Sequence, residues 1–169
     1  GHFLDTLLYL LDDPEPVSIS GTLDELHKAE GEDNNLRFIQ DTPILSALVK
    51  FDNDTSLHAA ATGISGEYEL VCQGGSIRIQ NDGESIQVRQ KSQNAYDPIE
   101  VAPIEPWSGT SQKIRELVES IKTGKPGTSN LRATMLGTEI GFGLYESHLR
   151  GGIAIQPPIP NRERWVSSW

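Results

Sequence analysis

Two rhythms of apolar and polar positions run along this 169-residue chain, a helical one at each end and a strand-like one between them. In His2 to Asp13, residues Phe3, Leu4, Leu7, Leu8, Leu10 and Leu11 fall on one broad arc, while His2, Asp5 and Tyr9 share the opposite one at i, i+3, i+7. The spacing predicts a helix that stops at Asp12-Asp13-Pro14-Glu15-Pro16, because proline lacks an amide donor and restricts the residue before it. With no cap ahead of it, this first element reads as cut from something longer. Val17, Ile19 and Gly21 then alternate with Ser18, Ser20 and Thr22 as in a half-buried strand, and Lys28 to Asn35 reads as a solvated loop.

From Ile44 to Gln90 the period is two throughout. Leu45/Ala47/Val49/Phe51, Leu57/Ala59/Ala61, Tyr68/Leu70/Cys72, Ile77/Ile79 and Ile86/Val88 each mark one face of a strand. The connections Asp52-Asn53-Asp54, Gly63 to Gly66, Gly74-Gly75 and Asn81-Asp82-Gly83 are turns too short for helical crossovers, so neighbours should pair antiparallel in a meander. The opposite faces carry Ser46, His58, Glu67, Glu69, Arg78, Gln80, Gln87 and Arg89, a polar side that is either wet or an interface.

Helical period returns at Ser111 to Thr123, with Ile114, Leu117, Val118 and Ile121 on one face and Gly124 and Pro126 as stop signals. A longer helix is predicted from Thr128 or Ser129 to about Arg150, with Leu131, Met135, Thr138, Phe142, Tyr145 and Leu149 as its stripe and Gly151-Gly152 as its end. Ala133, Gly137 and Gly141 lie four apart on it, which close backbone packing would explain. Ile153 to Ile155 suggest a last short strand, followed by a tail over 157–169 with Trp165 and Trp169. The predicted fold is α+β: an open, largely antiparallel mixed β-sheet, its apolar face roofed by the two late helices and its other face available for oligomerisation. The length predicts one domain over 1–169.

Composition removes several functions. A net charge of −10 with scattered basic residues argues against DNA, RNA or an anionic membrane surface as partner. The apolar run Phe3 to Leu11 is too short to span a bilayer and is interrupted by Asp5, so no membrane anchor is expected. Cys72 is the only cysteine, which excludes an intrachain disulfide and suggests a reducing, cytoplasmic setting; its place in an apolar alternation predicts a core position. His2, His27, His58 and His148 show no metal-ligand spacing, so no metal is expected. No Gly-x-Ser-x-Gly elbow occurs, and no Gly-x-Gly-x-x-Gly links a strand to a helix, so this chain alone should bind no dinucleotide of that type. One constellation carries chemistry: the His2 imidazole can move a proton near neutral pH, and a carboxylate one turn away, Asp5, can orient it. The plainer reading of His2 is a partly exposed histidine at a frayed helix end.

The opening helix with H-x-x-D, the strand meander, the hairpin stretch YELVCQGGSIRIQNDG, then helix, G-K-P, a long helix with Glu-Ser-His, Gly-Gly and a Pro-Pro strand together resemble the C-terminal domain of Gfo/Idh/MocA oxidoreductases over essentially the whole chain. The resemblance implies a preceding Rossmann domain that binds NAD or NADP, with this chain supplying substrate contacts and a homo-oligomer interface through its open sheet face. It also implies a sugar, cyclitol or similar polyol as substrate, His2 as the catalytic residue that manages the hydroxyl proton, and Asp5 as a substrate contact or as the group that orients His2. The family motif Gly-x-His-x-x-Asp is met only in its last two defined positions, since Gly1 abuts His2; the motif's upstream aspartate and the Rossmann lysine have no counterpart here. The isolated chain is expected to be inactive. The alternatives are a sugar-sensing or regulatory module of the same fold, or a free-standing association domain.

Overall fold

The computed structural model describes residues 2–24, 38–40, 43–61, 67–100, 109–128, 130–160, 162 and 165–167. They divide into two compact units, 1–61 with 113–169, and 62–112.

In the first unit, helix α1 (His2–Leu10) forms as its apolar arc requires, with Leu4 and Leu8 buried and Asp5 and Tyr9 exposed. It ends earlier than predicted, at a turn in which Asp12 and Asp13 take φ of 67° and 48°. Carboxylate and carboxamide side chains tolerate that left-handed region better than most, so the chain turns before either proline is reached. Strands β1 (Pro16–Leu23), β3 (Ile44–Phe51) and β4 (Ser56–Ala60) form an antiparallel sheet in the order β1-β3-β4. The excursion between β1 and β3 holds β2 (Phe38–Gln40), which pairs parallel with β9 (Trp165–Ser167) near the end of the chain and makes the strand set mixed. The sequence did not foresee that pairing. Along β1 the alternation is broken by a register shift between Pro16 and Ser18, which leaves Val17 exposed while Ile19 and Leu23 are buried.

The long helix α3 (Leu131–Leu149) lies on β1, with α1 against it, and this layer is the core. Asn130 caps it, its side chain accepting from the Ala133 amide at 3.2 Å. Leu136, Ile140, Leu144 and Ser147 form the buried face, four or three residues apart, whereas Leu131, Met135 and Leu149 of the predicted stripe are exposed. The helix carries aliphatic residues on two arcs, so period alone does not say which faces inward; missing side chains decide it. A Cβ on Gly143 would stand 2.6 Å from Ile19 Cδ1, and one on Gly21 would stand 2.7 Å from Leu144 Cδ2 and 2.5 Å from the Ser46 carbonyl oxygen. Helix and strand close together because both positions lack a side chain. Gly141, by contrast, faces open space.

Helix α2 (Gly109–Thr123) starts two residues before the predicted Ser111 and ends where predicted, but it buries none of its residues: Ile114, Leu117, Val118 and Ile121 are 42–74% exposed. The expectation that both late helices roof the sheet is therefore corrected: α3, with α1, packs on one side of β1-β3-β4. A helical period reports an amphipathic surface, not the partner that covers it. The expected strand at Ile153 to Ile155 is a single bridge, Ile155 to Ile19.

The second unit is an antiparallel sheet in the order β5 (Tyr68–Cys72), β6 (Gly75–Gln80), β7 (Ser85–Gln90) and β8 (Asp97–Ile99). The β5–β6 hairpin turns on Gln73-Gly74, with Cys72 paired to Gly75. Only glycine fits at 75, since a Cβ there would lie 2.1 Å from the Arg89 carbonyl oxygen. Register places Tyr68, Leu70, Ile77, Ile79, Ile86, Val88 and Ile99 on one face and Glu69, Ser76, Arg78, Gln87 and Arg89 on the other. Cys72 is exposed rather than in a core, because it ends its strand beside the hairpin turn on a face that is at most half-buried.

Candidate functional site

His2 opens α1, and Asp5 follows one turn later on the same helix. The His2 side chain lies outside the described residues. Asp5 is exposed, and its carboxylate stands over α3: a Cβ on Gly137 would be 3.0 Å from Asp5 Oδ1 and 3.9 Å from Leu8 Cδ1. Gly137 therefore leaves the room that the carboxylate fills where α1 crosses α3. Of the glycines noted along the helix in the sequence, this is the one that bears on the site.

The Glu-Ser-His run near the end of α3 is structural. Ser147 is fully buried; its Oγ accepts the Gly21 amide at 2.9 Å and donates to the Ile153 carbonyl at 2.7 Å, tying helix, strand and following turn together. His148 Nδ1 accepts the Leu23 amide at 3.1 Å, which assigns its ring proton to Nε2 in the neutral form. Glu146, buried, pairs with Arg150 at 3.3 Å. His58 lies exposed on β4 with Ser56 Oγ 3.3 Å from its Nε2, and His27 falls outside the described residues. Structure thus brings Asp5 to α3. Among the described residues, no group of three or more His, Cys, Asp and Glu could hold a metal ion.

Elsewhere in the first unit a groove of about 480 Å³ runs over Met135 and Leu136, between the ion pairs Arg132–Glu15 at 2.9 Å and Arg162–Glu139 at 3.3 Å. It includes neither His2 nor Asp5. Sequence period missed it, because its walls come from separate loops and one helix face.

The glycine pairs do not build a dinucleotide cradle: Gly74-Gly75 lies in the β5–β6 hairpin and Gly151-Gly152 follows the end of α3, so neither opens a helix after a strand. No helix among the described residues is long and apolar enough to cross a membrane.

No protein-family model and no curated protein matches the sequence. Solved structures do match. An aldose-aldose oxidoreductase from Caulobacter crescentus, complexed with glycerol, is 16% identical with a TM-score of 0.61, covering 92% of this chain and 45% of that one. An NAD binding oxidoreductase from Klebsiella pneumoniae is 12% identical with a TM-score of 0.65, covering 92% and 48%. An oxidoreductase from Agrobacterium radiobacter in complex with NAD+, L-tartaric acid and magnesium is 11% identical with a TM-score of 0.63, covering 92% and 46%. The chain spans about half the length of these solved proteins. At such identities the likeness is one of fold: this chain has the fold that these oxidoreductases carry in about half of their length.

Proposed function

We infer that residues 1–169 are one domain, the C-terminal substrate-binding and oligomerisation half of a Gfo/Idh/MocA-type oxidoreductase acting on a sugar, cyclitol or similar polyol. The observation that carries this reading is the lopsided coverage, with nearly all of this chain laid on under half of each oxidoreductase. NAD or NADP belongs, on this reading, to a Rossmann half outside this chain, consistent with the hairpin and helix-end placement of the glycine pairs. Hydride acceptance belongs to that half as well. The share of this chain is the proton: as a carbinol carbon loses hydride, the His2 imidazole takes the hydroxyl proton, and Asp5 orients that imidazole or contacts substrate. A homo-oligomer forms through the open sheet face, the side of β1-β3-β4 away from α3, in a cytoplasmic protein.

The test is turnover of the longer parent protein against a panel of aldoses and cyclitols with each nicotinamide cofactor. Loss of a positioned acid–base group lowers kcat by about a hundred- to ten-thousand-fold, so His2→Ala should fall in that range while nicotinamide cofactor binding stays unchanged. Unchanged kcat removes His2 from the chemistry. Binding of sugar without any hydride transfer makes the domain part of a sensor instead.

A further inference from the structure

The polar face of the β5–β8 sheet carries an arrangement that neither the proposed reaction nor the core requires. Tyr96, in the turn before β8, folds back over the sheet, with the Arg78 guanidinium 4.3 Å and the Arg89 guanidinium 4.9 Å from the centre of its ring. Its hydroxyl donates to Glu69 Oε1, and Arg78 pairs with Glu69 Oε2 at 3.2 Å. Glu69 is thus fully engaged. Among the described residues Arg89 pairs with no carboxylate at ion-pair distance: its hydrogen bond goes to the buried Ser76 hydroxyl at 3.3 Å, which leaves most of its N–H donors without an acceptor among those residues. Gln87, two residues before it on the same face and paired in register with Arg78, adds an amide beside the two cations.

We propose that this face is a binding site for a small oxyanion, the carboxylate or phosphoryl group of a soluble metabolite, gripped by the Arg89 fork beside Arg78. Three features support it. Around the Tyr96 ring two guanidiniums stand against one carboxylate, Glu69, while Glu67 on the same face is taken up by the Gln80 amide at 2.9 Å, in a chain whose net charge is −10. The Tyr96 ring and Ser76 hold the Arg89 plane, so a bidentate partner loses little additional side-chain freedom. Finally, a half-buried guanidinium with spare donors is matched best by a planar or tetrahedral oxyanion that accepts two of them at once. The inference stands on this sheet alone and does not depend on the oxidoreductase reading.

The test titrates the full chain with inorganic phosphate and, separately, acetate at fixed ionic strength, following the arginine side-chain and Tyr96 ring signals by NMR. Saturable shifts are expected with at least one probe, and the stronger probe identifies the oxyanion class. Arg89→Gln should weaken that binding by about tenfold or more, and Arg89→Lys, which keeps the charge without the fork, should weaken it by a smaller factor. Arg132→Gln, in the other unit, should leave it unchanged. Absence of saturation with both probes, or equal binding by Arg89→Gln and Arg132→Gln, overturns the proposal. Amide spectra of β5–β8 report whether each variant keeps its fold, and Arg89→Lys still decides the matter if Arg89→Gln loses it.

Discussion

The α3–β1 layer and the β5–β8 sheet hold themselves together by different means. In the first, Leu8, Ile19, Val49, Ile140 and Leu144 have under 2% of their surface exposed, and two glycines let helix and strand close to contact. In the second, among the described residues, the apolar side chains are half-buried or exposed, and the buried residue is polar, Ser76. Its side-chain ties centre on Glu69, Arg78, Arg89 and Tyr96, with Gln80 donating to Glu67 and Gln93 to Asp97 beside them. The first region is stabilised by removal of apolar area from water and the second by ladder hydrogen bonds and a charged clasp, which are worth much less per contact.

Equivalent truncations should separate the two regions most widely. Ile140→Ala in the core should cost about 2–5 kcal/mol, from lost transfer energy plus the cavity left in a packed layer. Ile77→Ala, on the sheet and 36% exposed, should cost under about 1 kcal/mol, because little area is removed from the interior and neighbours can relax into the gap. Urea denaturation of each variant gives both values. Equal losses would mean that the apolar face of the sheet is covered as well as the core is.

The glycines of α3 sharpen the comparison within one element. Glycine-to-alanine in a helix interior gains about 1 kcal/mol where nothing opposes it, and at Gly141 nothing lies within 4 Å of a new Cβ. At Gly143 the same methyl meets fully buried Ile19, which cannot swing aside, and overpacking of this kind costs about 1–3 kcal/mol. Gly141→Ala should therefore raise the melting temperature and Gly143→Ala lower it. Thermal unfolding of the two variants side by side decides it, and a rise in both would show that α3 can lift from β1 at little cost.

These contrasts also show where the sequence was legible. The existence of α1, α2 and α3, and their bounds to within about two residues, followed from apolar spacing and from proline and glycine stops, all local signals. The hairpins followed from Gly74-Gly75 and Asn81 to Gly83 in the same way. The inward face of α3 was not legible, because Leu131 and Met135 compete in the pattern with Leu136, Ile140 and Leu144, and only the approach of Ile19 to Gly143 resolves them. Nor was the exposure of α2, Val17 or Cys72, which depends on a tertiary partner, a register shift and a turn. At the candidate site, His2 and Asp5 were named by spacing and resemblance, but the seat of Asp5 over Gly137 needed the crossing of two helices far apart in sequence. Arg78 and Arg89 were placed on a polar strand face; Tyr96, which lies outside the period-two runs, gave no signal of its own.

The smallest effect tests the clasp itself. The Tyr96 hydroxyl, first, and then Arg78 and Arg89 hold the Glu69 carboxyl below its ordinary value of 4.5. A carboxylate with a depressed folded-state pKa adds stability above its unfolded value, and that stability is lost as pH falls through the folded one, so the clasp should loosen below about pH 4.5. Tyr96→Phe removes the largest of these contributions while keeping the ring over the guanidiniums. The Glu69 titration, followed by carboxyl NMR, should then move up toward 4.5, and the acid loosening of β5–β8 should become shallower. Because Glu69 is 38% exposed, the accompanying loss of stability at neutral pH should stay under about 1 kcal/mol. An unmoved Glu69 titration in Tyr96→Phe would assign the depression to the arginines alone, and a loss as large as that of Ile140→Ala would erase the distinction between a packed core and a clasped sheet.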